Sequence, residues 1–147
     1  MNNLIKLEQS SFFIYNFCMK TLGSIESFTG GAFAAAITSV PGASKYYKGS
    51  VITYASELKA KIGVDISEGV VNERVAREMA LKGKEFLGVD NCVSFTGNAG
   101  PVPMEEKPVG LVYIGINEKV YEKNFKGTRV EIINQAVEFA INKINGE

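Results

Sequence analysis

LGSIESFTGGAFAAAIT, residues 22–38, changes its character halfway along. Gly23–Glu26 reads as a short strand. The paired Gly30 and Gly31 let the chain turn tightly. Phe33 to Ile37, with its alanines, reads as a buried helix that opens at Thr29-Gly30. It ends near Ser39, because Pro41 disfavours helix in the residue before it. A strand, a glycine turn and a helix in that order form the repeating unit of α/β sheets.

The alternation continues downstream. PGASKYY (41–47) is a turn, and GSVITYA (49–55), rich in β-branched and aromatic residues, is a strand. SELKAKIG (56–63) is a short helix with Ser56 as its cap and Gly63 past its end. Asn72 caps a longer helix with an inner face of Val75, Ala76, Met79, Ala80 and Phe86, and Gly88 stops it. Cys92–Phe95 is a strand that runs into the loop TGNAGP (96–101). PVGLVYIGIN (108–117) and KVYEKNF (119–125) form a hairpin turning at Asn117-Glu118. The last helix opens with a capping-box pattern, Thr128 to Glu131, and ends at Gly146. Its apolar face is Val130, Ile133, Val137, Ile141 and Ile144. Upstream, residues 2–21 carry Leu4, Ile5, Leu7, Phe12, Tyr15 and Met19 at helical spacing, interrupted by Gln9-Ser10-Ser11. The pattern predicts one domain over residues 1–147: a three-layer α/β/α sandwich with a mixed sheet and helices on both faces.

Composition narrows the function. A chain of 147 residues, 46% hydrophobic, has the size and apolar content of one domain with a proper core. Sixteen basic residues balance sixteen acidic ones, which leaves no electrostatic footprint for nucleic acid or an anionic membrane. FFIYNFCM (12–19) is too short and too polar in its middle to span a bilayer, and no basic segment with a cleavage site precedes it. The expected location is the cytoplasm. Cys18 and Cys92 are far apart in apolar surroundings and read as buried, inert thiols. With no histidine and no CxxC, a structural zinc site is not expected. Zero net charge, with a hairpin edge exposed around Val120–Phe125, points to a homo-oligomer.

Two loops stand where α/β sheets bind ligands, beyond the carboxyl ends of strands. In the first, Ser27 sits at a strand-to-helix turn, where the N–H groups of the helix start can face an oxyanion. Phe28, Thr29, Gly30 and Gly31 complete it. The plainer reading is that Ser27 or Thr29 caps the helix. The second, Thr96-Gly97-Asn98-Ala99-Gly100-Pro101, is either a concave nest for a phosphate or an ordinary glycine-rich turn. It lacks the GK[ST] of a Walker A loop.

A nucleophilic serine needs a base, and no imidazole is present. A lysine whose pKa falls through desolvation can serve. Lys59 follows Tyr54 by one to two helical turns, and the Tyr54 hydroxyl could relay the proton between serine and lysine. Lys61 competes, although it lies roughly 200° from Lys59 around an ideal helix.

SFTGG, VPGASKYYKGSVITYASELKAKIGV, TGNAGP and EKPVG together resemble the carboxyl-terminal domain of the competence/damage-inducible protein CinA. Stand-alone forms of that domain are nicotinamide mononucleotide amidohydrolases. The resemblance runs from about Leu22 to Asn134 with the blocks in the family's order. It implies Ser27 as nucleophile, Tyr54 and Lys59 as its catalytic partners, and Thr96 and Gly97 as substrate-loop residues, beside which the loop itself offers Asn98 and Gly100 as candidate substrate-binding residues. Gly127-Thr128-Arg129 matches a GxR pattern and makes Arg129 a candidate for the substrate phosphate. The implied reaction converts nicotinamide mononucleotide to nicotinate mononucleotide and ammonia with no cofactor. Alternatives are a catalytically silent nucleotide-binding domain or an amidase for a related nucleotide. The chain departs from the family's AESCTGG at Phe28, which puts a bulky ring in place of a cysteine and is expected to crowd the pocket. Asn98 replaces an apolar residue, Val102-Pro103 replace glycine, and the stretch between Gly63 and Gly69 is shortened.

Overall fold

The computed structural model describes residues 20–146. The helix predicted over residues 2–21 lies outside them except for Lys20 and Thr21, which are not helical. Among the described residues, five strands and four α-helices follow in the expected order, with one 3-10 turn at Ala43–Lys45. They are β1 (Leu22–Glu26), α1 (Ala32–Thr38), β2 (Tyr47–Ile52), α2 (Ser56–Lys61), α3 (Glu73–Leu87), β3 (Asn91–Gly97), β4 (Leu111–Ile116), β5 (Lys119–Asn124) and α4 (Arg129–Ile144). The sheet order is β2-β1-β3-β4-β5. β1 runs parallel to both neighbours, and β3·β4 and β4·β5 are antiparallel. The mixed α/β/α sandwich is therefore what the chain forms.

β1 is buried along its whole length, as a central parallel strand covered on both faces must be. On one face, Phe33 and Ile37 of α1 and Ile132, Ala136 and Ile141 of α4 pack against Phe95, Val112 and Ile114. On the other, Val75, Ala76 and Met79 of α3 pack against Ile25 and Cys92. Gly83 lets α3 come this close, because a methyl group there would collide with Ile25 and Cys92.

Several details differ from the sequence reading. Phe86 is 67% exposed and Val130 65% exposed, so neither belongs to the inner face of its helix. Gly83 and Ile132 take those buried positions. β2 begins at Tyr47 and ends at Ile52, leaving Thr53–Ala55 as a bend rather than strand. Ser56 is the first helical residue of α2, not its cap. Asn72 does cap α3, accepting from the Val75 N–H at 2.8 Å, and Gly88 ends it in the left-handed conformation. The capping box at Thr128 and Glu131 is complete.

This topology gathers one edge. β1, β2 and β3 end on the same side, with Glu26 level with Ile52 and Phe95. Asn124 pairs with Leu111, which brings the start of α4 to that side as well. Residues 27–31, 53–59, 98–110 and 129 therefore share the carboxyl edge of the sheet.

Candidate active site

Lys59 is the centre of the arrangement. It is 1% exposed, and its Nζ lies 2.8 Å from Ser27 Oγ, 2.6 Å from the Thr53 carbonyl and 3.4 Å from the Tyr54 carbonyl. α2 carries it inward on one face of a single turn, while Lys61 of the same helix is exposed. Burial of the ammonium brings its pKa down from 10.5 to about 8, against the opposing pull of the Glu105 and Glu57 charges. A neutral amine has two N–H donors and one lone pair. The two carbonyls can take the donors, which leaves the lone pair for the serine hydroxyl.

Ser27 is fixed from its own side. Its N–H donates to the Phe95 carbonyl at 3.0 Å, and Gly30 N–H donates back to the Ser27 carbonyl at 3.0 Å, closing a turn. Gly30 and Gly31 have φ of 58° and 101°, a region that favours glycine. Because Gly31 offers no side-chain cap, the start of α1 is capped from elsewhere. Glu26 supplies the cap. Its fully buried carboxylate accepts from the N–H groups of Phe33 and Ala34 (both 3.0 Å) and from the hydroxyls of Thr29 (2.8 Å) and Ser50 (3.2 Å). Ser24 Oγ, 2.8 Å from Tyr47 Oη, donates to it at 3.4 Å. Two of the helix-start N–H groups expected at an oxyanion are thus taken by Glu26. The N–H groups of Phe28, Thr29 and Gly31, in the turn that follows Ser27, donate to no protein acceptor among the described residues.

Phe28 does not crowd the site. Its ring is 5% exposed and packs edge-on against Phe95, with ring centroids 6.4 Å apart, inside the core beneath α1 and α4. Thr29 is committed to Glu26.

Tyr54 takes a position other than the expected relay. Its hydroxyl makes no hydrogen bond to Ser27 or Lys59 and instead accepts from Arg129 Nη2 at 3.0 Å. Its side chain faces solvent, with the residue 59% exposed. Arg129 Nη1 donates to the Gly100 carbonyl, so one guanidinium links the bend after β2, the 98–110 loop and the start of α4. Two of its five N–H donors are used in this way, which leaves others for an anion.

The second loop is braced from within. Asn98 N–H donates to the Leu111 carbonyl, Asn98 Oδ1 accepts from Gly100 N–H at 3.0 Å, and Asn98 Nδ2 reaches the Lys107 carbonyl at 3.4 Å. Thr96 Oγ1 donates to the Val70 carbonyl at 2.6 Å, and Gly97 lies against Val112 of β4. The Asn98 N–H is therefore spent on β4 and the Gly100 N–H on Asn98, which favours the glycine-rich turn over the phosphate nest at these two positions. Further along, Glu105 accepts from the Val70 and Val71 N–H groups at 2.8 and 3.0 Å, and Lys107 Nζ donates to the Val71 carbonyl.

Residue type and spacing alone do not single out Glu26, Thr53 or Glu105. An acid at the end of a predicted central strand was a signal for Glu26, since such a position rarely holds an unpaired charge. Thr53 acts through its backbone carbonyl, which leaves no mark on residue type.

The model of the CinA C-terminal domain family matches residues 7–147. A CinA-like protein of Petrotoga mobilis is 41% identical over 145 residues, covering 91% of this chain and 36% of its own length. A CinA-like protein of Endomicrobium trichonymphae is 41% identical over 133 residues, covering 83% and 31%. The chain thus spans about a third of the length of these relatives. Among solved structures, the competence/damage-inducible protein CihA of Agrobacterium tumefaciens aligns with a TM-score of 0.86 and 26% identity over 98% of this chain and 94% of that one. A CinA superfamily protein of Klebsiella pneumoniae aligns with a TM-score of 0.90 at 24% identity, over 99% and 97%.

Proposed function

The chain belongs to the CinA C-terminal domain family, and from that premise we propose that it is an amidohydrolase converting nicotinamide mononucleotide to nicotinate mononucleotide and ammonia. The observation that carries the reading is the buried Lys59 Nζ at 2.8 Å from Ser27 Oγ, with burial bringing its pKa down to about 8. A serine can be used without histidine when a desolvated lysine stands beside it.

Ser27 Oγ attacks the carboxamide carbon while its proton passes to the Lys59 lone pair. The oxyanion that forms faces the N–H groups of Phe28, Thr29 and Gly31. Lys59 then returns the proton to the nitrogen as the C–N bond breaks, and ammonia leaves an acyl-Ser27 ester. Water attacks this ester, giving one proton to Lys59, which passes it to Ser27 Oγ as the C–O bond breaks, and the acid product gives up its remaining proton to solvent and departs as the carboxylate. The atoms balance with water alone. Arg129 supplies the cation for the phosphate, and the exposed ring of Tyr54, tethered by Arg129, offers a π-face to the pyridinium.

The test is ammonia release by the purified protein with nicotinamide mononucleotide, beside Ser27→Ala. Release by the native protein and none above background by the variant is the expected result. Equal release by both would discard Ser27 as nucleophile. Absence of release by either would remove this substrate.

A further inference from the structure

We infer that Glu26 is a positioning residue: its buried carboxylate ties β1, the 27–31 turn, α1 and β2 to one point and so fixes the Ser27 hydroxyl on the Lys59 amine. The inference rests on the serine–lysine reading above.

A carboxylate without solvent is costly unless its oxygens are fully hydrogen-bonded. Glu26 is completely buried, and every group its carboxylate meets can act as a donor: the hydroxyls of Thr29, Ser50 and Ser24 and the backbone N–H groups of Phe33 and Ala34. A helix start can be capped far more simply, by a serine or asparagine next to it. Here the local position is Gly31 at φ 101°, which the turn requires. The cap comes instead from the residue immediately before Ser27. That choice does what a local cap would not do, because it joins the helix to the strand end that carries the nucleophile.

The backbone of the same residue reaches the other partner. The Glu26 carbonyl accepts from Thr53 N–H at 2.8 Å, the Thr53 carbonyl accepts from Lys59 Nζ at 2.6 Å, and Lys59 Nζ meets Ser27 Oγ at 2.8 Å. Ser27 follows Glu26 in the chain, so the four residues close a ring. Its side chain sets where the serine stands, and its main chain sets where the lysine stands. A reacting pair misplaced by about an ångström loses on the order of a hundredfold in rate.

A fluorophosphonate probe reads this placement without reference to the natural substrate. Ser27 Oγ forms a bond to phosphorus, fluoride leaves, and the hydroxyl proton passes to Lys59. The native protein should be labelled to one equivalent, and Ser27→Ala should not be labelled. Glu26→Gln, which keeps the shape and removes the charge, should be labelled to the same final extent at a rate at least tenfold lower. A role confined to stability would behave differently, reducing the labelled fraction while the remaining folded molecules react at the native rate. If Glu26→Gln does not fold, Thr29→Val decides, since it deletes one donor and keeps the carboxylate. It should label fully and about threefold more slowly.

Native-rate labelling of Glu26→Gln, or of Thr29→Val where Glu26→Gln fails to fold, would overturn the inference. An unlabelled native protein would overturn the activated serine and this inference with it. Labelling without ammonia release from nicotinamide mononucleotide would overturn the substrate reading and leave the role of Glu26 standing.

Discussion

Raising the pH through 8 should switch the proposed reaction on. Lys59 must be neutral to take the serine proton, and burial brings its pKa down from 10.5 to about 8. Below that value kcat/KM should rise about tenfold per pH unit. Roughly a tenth of the amine is neutral at pH 7, half at pH 8 and nine-tenths at pH 9, where the rate levels off. A solvated lysine would instead give a profile still climbing at pH 10. The same shift has a stability consequence whose sign is opposite to that of a salt-bridged lysine. The folded state sheds this proton near pH 8 and the unfolded chain near 10.5, so between those values the unfolded chain binds more protons. Folding stability should therefore increase with pH across that window, by about 3 kcal/mol from this one group. Lys59→Met should be inactive and should lack that increment. Ammonia release from pH 6 to 10, with urea unfolding of both proteins at pH 7.5 and 10, measures the two effects. A rate independent of pH between 6 and 8, or a plateau reached only above 10, would refute Lys59 as the base. Parallel stability curves for the two proteins would refute its desolvation.

Two further outcomes follow from the site. Arg129→Ala should raise KM for nicotinamide mononucleotide about 10- to 100-fold while kcat changes by less than a few-fold, because a charge-assisted contact to phosphate is worth about 1.5–3 kcal/mol in ground and transition state alike. Steady-state kinetics separate the two constants. Phe28→Ala should lower stability by about 3–5 kcal/mol, the cost of emptying a packed aromatic site, rather than widen the pocket. Urea denaturation measures this loss, and an unchanged midpoint would contradict the burial of the ring.

The sequence made the architecture legible where local chemistry and tertiary packing agree. Gly30 and Gly31, Asn72, Gly88 and the Thr128–Glu131 box each mark an element end that the fold uses. It misled where an apolar residue sits at the margin of a helix stripe. Phe86 and Val130 match the helical period, yet Leu87 rather than Phe86 packs against the core, and Ile132 rather than Val130 is the first buried residue of α4. For the site, strand-to-helix spacing put Ser27 and Lys59 within reach of each other but left Lys61 in contention, because the facing of a single-turn helix depends on what it packs against. The direction of Phe28 was hidden for the same reason: the turn at Gly30-Gly31, not the residue type, points its ring into the core. Glu26 was the least visible. Its partners come from residues 24, 29, 33, 34 and 50, and no single sequence window contains them.

The Arg129–Tyr54 contact spans 75 positions of the chain. On the proposed reading, nucleophile and base are both encoded before residue 60, and the anchor for the phosphate comes only with the final helix. A ribosome adding about 5–20 residues per second would place several seconds between them. Reactivity is written early in the message and the phosphate anchor late. A protein shortened ahead of α4 would lack that anchor while still encoding the residues that do the chemistry.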